Sequence, residues 1–498
     1  MRTRAVVFGR MAPLTAAAVL AGCISLAPDF ERPPLPVAQQ YPAAPQPQAQ
    51  AQAASGVAAT PPVPAAGPAA AASAPRAAAA AAADIPWQTF FADAQLKRLI
   101  GLALENNRDL RVAVLNIEQA RAAYQIRRAD QVPNVNLGVT GNRLTNADGG
   151  ITSSYVAGLS LASFEIDFFG RVKNLSDAAL SQYLATEEAR RTVQIALIAS
   201  VANAYYGLRA DNEQLDLTAR TRATRESSLQ LTQLRFDNGV ASELDVAQAV
   251  SLVEGARVAQ AAILRNRAQD ENALVLLVGR PVTVELAPGA TLVGEHLGPD
   301  LPAGLPSDLL THRPDIRQSE QQLRAADFNI GAARAAFFPR ISLTGAAGIA
   351  SGDLIGLFNS SSLAWSFTGQ LVQPLFDGGR NQATLDAARA SRDITVAQYE
   401  KTVQTAFREV ADALAGRSTL GEQLRAQRAQ AEAEQVRFEL ADLRYRTGVS
   451  SFLEVLDAQR SLFTAQLATV QVQLAQLQNQ VTLYKVLGGG WTQPVATN

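Results

Sequence analysis

The chain carries one stretch of sequence twice. Leu234-Arg235-Phe236-Asp237-Asn238-Gly239-Val240 returns 209 residues later as Leu443-Arg444-Tyr445-Arg446-Thr447-Gly448-Val449. The same offset relates Leu244-Asp245-Val246 to Leu453-Glu454-Val455, and Leu277-Val278-Gly279 to Val486-Leu487-Gly488. Upstream, an offset of 206 relates Arg108-Asp109-Leu110-Arg111 to Pro314-Asp315-Ile316-Arg317, and Val132-Pro133-Asn134-Val135 to Phe338-Pro339-Arg340-Ile341. Residues 84–280 and 305–490 therefore read as two copies of one unit, joined by a connection over 281–304. A duplication this long argues for one body with pseudo-twofold internal symmetry, rather than the three ordinary domains that 498 residues would otherwise allow.

Within each copy, proline marks where long helices can run. None occurs between Pro133 and Pro281, or between Pro374 and Pro494. A proline-free helical pattern over 170–238, and again over 379–447, predicts helices of about 100 Å at ~1.5 Å per residue. Each is followed by a shorter helix, 242–278 and 451–487. The last has a heptad seam of Phe463, Leu467, Val470, Leu474, Leu477, Val481 and Tyr484, the mark of coiled-coil packing. Gln471, Gln473, Gln476, Gln478 and Gln480 between them form either a water-wetted wall or an ordinary solvated face. Gly239 and Gly448 end the two long helices, where a glycine of positive φ is expected. Ser242 with Asp245, and Ser451 with Glu454, have capping-box spacing at the next helix starts.

Two segments in each copy have period two instead. Val135, Leu137 and Val139 alternate with Asn136, Gly138 and Thr140, and Tyr155, Ala157, Leu159 and Leu161 with Ser154, Gly158 and Ser160. Ile341 and Leu343 alternate with Ser342 and Thr344, and Trp365, Phe367 and Leu371 with Ser366, Thr368 and Gln370. One apolar and one polar face mark strands, so each copy holds a hairpin, at 134–167 and at 340–376. Four amphipathic strands cannot close a barrel, and in lipid their open edges are intolerable. Three copies of the chain supply about twelve, an even number that closes.

The N-terminus reads as an export signal, 1–22. Arg2, Arg4 and Arg10 precede an apolar run from Met11 to Leu20, and Leu20-Ala21-Gly22-Cys23 fits a bacterial lipoprotein cleavage site. Cys23 is the only cysteine, so a thioether-linked lipid explains it better than a disulfide. Ile24, where an Asp would favour inner-membrane retention, prefers the outer membrane. The segment 23–83 reads as a lipidated N-terminus and a tether: after Ser25–Pro33 the stretch to about Ala83 is nearly all Ala, Pro and Gln; 491–498 is a tail. A net charge of −1 with dispersed Lys and Arg gives no nucleic-acid footprint. His296 and His312 are the only histidines, and no metal cluster, phosphate loop or nucleophile arrangement stands out, so neither an enzyme nor a cofactor is expected. His312 is expected to help start a helix.

Several of these segments resemble the TolC-type outer-membrane efflux channels, in the lipoprotein branch paired with resistance-nodulation-division pumps. The resemblance rests on the lipobox with Ala27-Pro28-Asp29-Phe30-Glu31-Arg32-Pro33, on Leu310-Thr311-His312-Arg313-Pro314-Asp315-Ile316, on Pro374-Leu375-Phe376-Asp377-Gly378-Gly379-Arg380, and on Tyr445-Arg446-Thr447-Gly448-Val449 with Phe452-Leu453-Glu454-Val455-Leu456-Asp457-Ala458-Gln459. It implies an α+β membrane protein: a homotrimer with a twelve-stranded outer-membrane β-barrel, four strands per chain, continuous with a periplasmic α-helical coiled-coil barrel. It implies a passive conduit for drugs and other small molecules, gripped by a periplasmic adaptor and energised by an inner-membrane pump. Gly239, Val240, Gly448 and Val449 would be the adaptor-contacting tip. Leu453, Glu454 and Asp457 would line the closed periplasmic gate, where three copies of Asp457 make a ring that favours cations. Gln248 stands at the matching place in the first copy, so only one ring of the pair would carry this charge. A protein-secretion outlet of the same fold, and a periplasmic adaptor or coiled-coil scaffold, are the competing readings.

Overall fold

A computed structural model describes residues 25–38, 40–42, 82–284, 291–294, 297–298, 301, 306–359 and 361–491. Cys23, the signal segment, His296, residues 43–81 and the tail beyond 491 lie outside them. The helices are α1 (Trp87–Phe90), α2 (Ala94–Asn106), α3 (Arg108–Ala129), α4 (Arg171–Asp237), α5 (Glu243–Val278), α6 (Leu309–His312), α7 (Pro314–Ala335), α8 (Arg380–Arg446) and α9 (Phe452–Val486). The strands are β1 (Val135–Thr145) and β2 (Ile151–Ile166) between α3 and α4, and β3 (Arg340–Ser351) and β4 (Leu363–Val372) between α7 and α8. α4 and α8 are each 67 residues long. No helix among the described residues is long and apolar enough to cross a membrane. The chain divides into two units: residues 1–35, 113–189 and 315–402, and residues 36–112, 190–314 and 403–498.

The first unit holds the sheet. Its four strands form an antiparallel meander in the order β1-β2-β3-β4, so the pairing of β2 with β3 joins the two copies and leaves β1 and β4 as free edges. The register sorts the side chains by face. Val135, Leu137 and Val139 pair with Leu161, Leu159 and Ala157; Ile349, Ala347 and Ile341 pair with Leu363, Trp365 and Leu371. The opposite face carries polar and small residues, with Asn136, Ser160, Thr344, Ser366, Thr368 and Gln370 among them. On the edge strands the apolar face is open: Leu137 is 79% exposed and Trp365 78%. In β2 the alternation breaks where the register shifts between Leu161 and Phe164, with Ser163 at φ 48°. This bulge moves Phe164 and Ile166 onto the apolar face and sets Glu165 on the polar one. There the Glu165 carboxylate accepts from Arg171 Nε at 2.8 Å and Nη2 at 2.6 Å, and pairs with Arg340 Nε at 2.8 Å, tying β2 to the start of α4 and to β3.

The same unit also holds the segment that precedes the Ala/Pro/Gln stretch. Residues 25–32 lie along α7 as a docked strap. Ser25 Oγ donates to Asn174 Oδ1 at 2.8 Å, Arg334 donates to Leu26 O at 3.0 Å, Arg324 stacks 4.5 Å from the Phe30 ring, and Arg32 pairs with Glu320 at 2.8 Å. A Cβ at Gly331 would overlap the Ala27 backbone. Two residues upstream of this anchorage stands Cys23.

In the second unit the chain is also held on both sides of the Ala/Pro/Gln segment. Tyr41 stacks on Phe407 at 5.1 Å, and burial pushes its hydroxyl up to about 12. Ala82 and Ala83 are buried. The core beside them stacks Phe90 on Tyr484 at 4.0 Å and packs Tyr205 against Tyr206. Asp93 caps α2 through Gln95 N (2.7 Å) and Leu96 N (3.1 Å), and also accepts from Tyr205 Oη (2.7 Å) and Arg209 (3.2 Å). The internal symmetry survives in individual contacts. Asn107 donates to Leu277 O at 2.8 Å and Arg313, its counterpart, to Val486 O at 3.0 Å. Gly279 (φ 77°) lies against Asn106 O and Gly488 (φ 84°) against His312 O, so close that a Cβ on either would overlap the carbonyl. His312 thus closes α6 rather than starting α7, which begins at Pro314.

Along α9 the apolar seam is wider than a strict heptad. Phe463, Val470, Leu477, Val481 and Tyr484 are buried, Leu467 and Leu474 half-buried, and Leu462, Val472, Gln473 and Leu483 join the buried set.

Candidate functional site

All the residues singled out for gate and tip belong to the second unit. They gather at the two helix turns, α4 to α5 and α8 to α9, which are built alike. Val240 N donates to Arg235 O at 2.8 Å and Gly239 N to Phe236 O at 2.8 Å; Val449 N donates to Arg444 O at 2.9 Å and Gly448 N to Tyr445 O at 3.0 Å. With φ of 75° at Gly239 and 77° at Gly448, both are Schellman ends, a backbone state that a side chain would strain. The turn throws the next residue outward: Val240 is 70% exposed and Val449 69%. Neighbouring Leu244 and Leu453 are exposed as well.

The helix starts beyond these turns have diverged. Ser242 and Asp245 form the capping box: Asp245 N donates to Ser242 Oγ at 3.2 Å, and Ser242 N to Asp245 Oδ2 at 2.9 Å. Ser451 makes no side-chain cap bond, so the second box anticipated from its spacing is absent. Glu454 instead lies 3.7 Å from Arg444 of α8, half-exposed. The longer side chain reaches across to the facing helix, where the shorter Asp245 turns back on its own N-terminus.

Asp457 sits one turn further along α9. Arg437 of α8 donates to one of its oxygens, and Arg460 donates to the other at 2.6 Å. Arg437 also donates to Glu434 at 3.1 Å and to Ser461 Oγ at 3.4 Å. The hydrogen bond from Arg437, followed by that from Arg460, holds the Asp457 carboxyl below its ordinary range. The carboxylate stays ionised, and its charge is balanced within the chain by two guanidinium groups. Of these partners, Arg460 was legible at i+3; Arg437, twenty residues upstream on another helix, was not.

A hydrophobic cluster holds the turns together: Ala249, Ala441, Phe452, Val455, Leu456 and Ala458 are buried, with Leu229, Leu252, Phe438 and Tyr445 packed on them. Arg235 lies 4.8 Å over the Tyr445 ring and donates to its hydroxyl, and buried Arg225 lies 5.0 Å from the Phe463 ring while donating to Leu252 O at 2.9 Å. These links join first-copy helices to second-copy helices, and the sequence reading missed them. Among the described residues no group of three or more His, Cys, Asp and Glu is arranged to hold a metal.

Comparison with known proteins follows the same two copies. The model of the family described as "Outer membrane efflux protein" matches residues 99–280 and again 305–489. The toluene efflux pump outer membrane protein TtgC of Pseudomonas putida is 46% identical over 480 residues, 95% of this chain and 94% of that protein. The outer membrane protein OprJ of Pseudomonas aeruginosa is 44% identical over 483 residues, 96% of this chain and 95% of that protein. Among solved structures, a membrane protein from Pseudomonas aeruginosa superposes with a TM-score of 0.81 at 42% identity, covering 95% of this chain and all of that one. The open state of the MtrE outer membrane channel of Neisseria gonorrhoeae also reaches 0.81, at 37% identity over 94% of this chain and 99% of that one.

Proposed function

The chain belongs to the outer membrane efflux protein family, and from that premise we propose that it is the outer-membrane channel of a tripartite efflux pump. The observation that carries this is the sheet. Its apolar face is open, its two edge strands are unpaired, and its polar face suits water. Three chains join β4 of one to β1 of the next and close a twelve-stranded barrel, apolar side to lipid and polar side to the bore. The long helices form the periplasmic part of the conduit. The channel does no chemistry; drugs and other small molecules pass through it, moved by an inner-membrane pump.

The exposed Val240 and Val449, held out by two identical turns, are the contacts for a periplasmic adaptor. Leu453, Glu454 and Asp457 line the closed entrance. Because Arg437 and Arg460 already balance Asp457, widening that entrance rearranges ion pairs rather than separating bare carboxylates. A lipid on Cys23 fits the docked strap, whose first described residue, Ser25, is held at the strand-proximal start of α4. A lipid two residues upstream of that anchorage would enter the same membrane as the sheet.

Fractionation of cells, followed by native-mass measurement, tests the core of this reading. A heat-dissociable trimer in the outer membrane that co-purifies with an adaptor, and a deletion strain sensitised to drugs, are expected. A monomer retained in the inner membrane overturns it. Mass spectrometry of the mature N-terminus is expected to find a diacylglyceryl cysteine at Cys23, abolished by Cys23→Ser. In planar bilayers, Asp457→Ala is expected to raise conductance and lower cation preference. Unchanged values remove Asp457 from the entrance.

A further inference from the structure

The two hairpin loops differ in a way that the channel reading does not use. The β1–β2 turn is short and polar, closed by Gly149 N to Asn146 O at 2.9 Å and Asn146 N to Gly150 O at 2.7 Å. The β3–β4 loop presents Leu354, Ile355 and Phe358, exposed by 60%, 86% and 82%. It is a built structure. The Asp353 carboxylate accepts from Gly356 N, and Asp353 N donates to Ser351 Oγ at 3.3 Å. Ser362 Oγ lies 2.8 Å from Leu357 O and 2.6 Å from Asn359 O, and Ala350 N donates to Ser362 O at 2.8 Å. A 3-10 turn over Gly356–Phe358 tucks Leu357 inward and leaves its large neighbours outside. The loop's one charge, Asp353, is engaged in capping.

The loop also leans to one side. Gly356 lies against the Ser351 side chain, where an ideal Cβ would come within 2.5 Å of the hydroxyl. Ser351 pairs with Tyr155 and shares the face of Ile349, which is the apolar face of the sheet. The turn is therefore continuous with the surface that carries Ile349, Leu363 and Trp365. Apolar side chains held outward by a hydrogen-bonded loop, beside an apolar face, suit hydrocarbon better than water.

We propose that the β3–β4 loop is an apolar knuckle that enters the acyl-chain region of the membrane on the outward side of the barrel, one per chain, through Leu354, Ile355 and Phe358. This rests on the reading of the sheet as a membrane barrel. The alternative occupant is the same loop of neighbouring copies, the three knuckles meeting over the bore.

Tryptophan fluorescence in phosphatidylethanolamine–phosphatidylglycerol vesicles doped with a bromine-labelled acyl-chain lipid separates these ideas. The natural Trp365 reports on the sheet, and Trp365→Phe supplies the baseline from Trp87 and Trp491. Phe358→Trp in the Trp365→Phe background is expected to restore bromine quenching comparable to that of Trp365. Ile355→Trp serves in its place should that variant not assemble. If Trp365 is quenched and neither loop reporter is, the knuckle is refuted while the barrel stands. Absence of quenching at Trp365 itself overturns the barrel. In planar bilayers Phe358→Ser is expected to leave single-channel conductance unchanged; a rise places the loops over the bore and refutes lipid insertion.

Discussion

Asp211 is a carboxylate with little to hold it. It is buried on α4, and its Oδ2 has no hydrogen-bond partner. The charged groups acting on it are Asp270 and Arg267, both of α5; the Asp270 carboxylate lies beside Gly207, one turn away from Asp211, where a Cβ would come within 2.5 Å of it. Burial first, and then Asp270, push Asp211 up to about 6, with Arg267 opposing. A folded-state value above the ordinary carboxylate value means that the native protein binds this proton more tightly than the unfolded chain. Stability from this group is therefore greatest below pH ~4 and lost as pH rises through about 6. Allowing for a partly hydrated site, the loss is about 1–2 kcal/mol. Asp211→Asn is expected to raise the melting temperature of the detergent-solubilised protein at pH 8 and to flatten its change between pH 4.5 and 7; an unchanged slope refutes the assignment. Asp457 behaves oppositely: hydrogen bonds from Arg437 and then Arg460 lower its value, so stability from its pairing is present above the ordinary carboxylate value and is lost as pH falls through the lowered one. Neither the Asp211 environment nor the Arg437 contact of Asp457 was legible in the sequence. Both depend on which residues of a facing helix lie opposite, a matter of rotational phase, whereas Gly239 and Gly448 were legible because a helical pattern ending in glycine states its own geometry.

Helices and strands were legible in proportion to how locally they are encoded. Proline-free spacing suggested helices over 170–238 and 379–447; they run Arg171–Asp237 and Arg380–Arg446. Period two marked all four strands but hid the bulge, because Leu161-Ala162-Ser163-Phe164 reads as an interruption until β3 supplies the register. Ser163 sits in left-handed backbone, so Ser163→Gly is expected to stabilise the sheet by about 0.5–1 kcal/mol and Ser163→Val to destabilise it. The temperature at which the oligomer dissociates on a gel reads both. The two capping sites give a sharper contrast. Ser242→Ala breaks a formed box and is expected to cost ~1 kcal/mol, seen as faster amide exchange over 243–246; Ser451→Ala, with no cap bond to lose, is expected to change exchange over 452–455 little. Equal effects would show that identical spacing matters more than the observed bonding. Gly279 and Gly488 combine a positive φ with a backbone carbonyl lying close against them. Ala at either meets a carbonyl across the repeat, and loss of folded protein is expected from both, through equivalent contacts.

At the scale of the whole molecule, the decisive fact is that the sheet is unfinished. β1 and β4 of one chain stand three strand spacings apart, about 14 Å at ~4.8 Å each, so no disulfide can join them directly. Closing the barrel brings β4 of one chain beside β1 of the next, antiparallel, since the meander alternates direction. Same-face cysteines on these edges must therefore cross-link only between chains. Thr140→Cys on β1, combined in turn with Ser366→Cys, Thr368→Cys or Gln370→Cys on β4 in a Cys23→Ser background, samples the register that the tilt of the strands selects. One combination is expected to give, after mild oxidation in membranes, a non-reducing ladder ending at three chains. Cross-links that stay within one chain, or that stop at two, contradict closure by threes. The sequence already contained this conclusion in outline, because four amphipathic strands in lipid cannot leave their edges bare. It could not contain the order of the strands, since pairing β2 with β3 across the repeat boundary joins two segments about 190 residues apart, which no local pattern encodes.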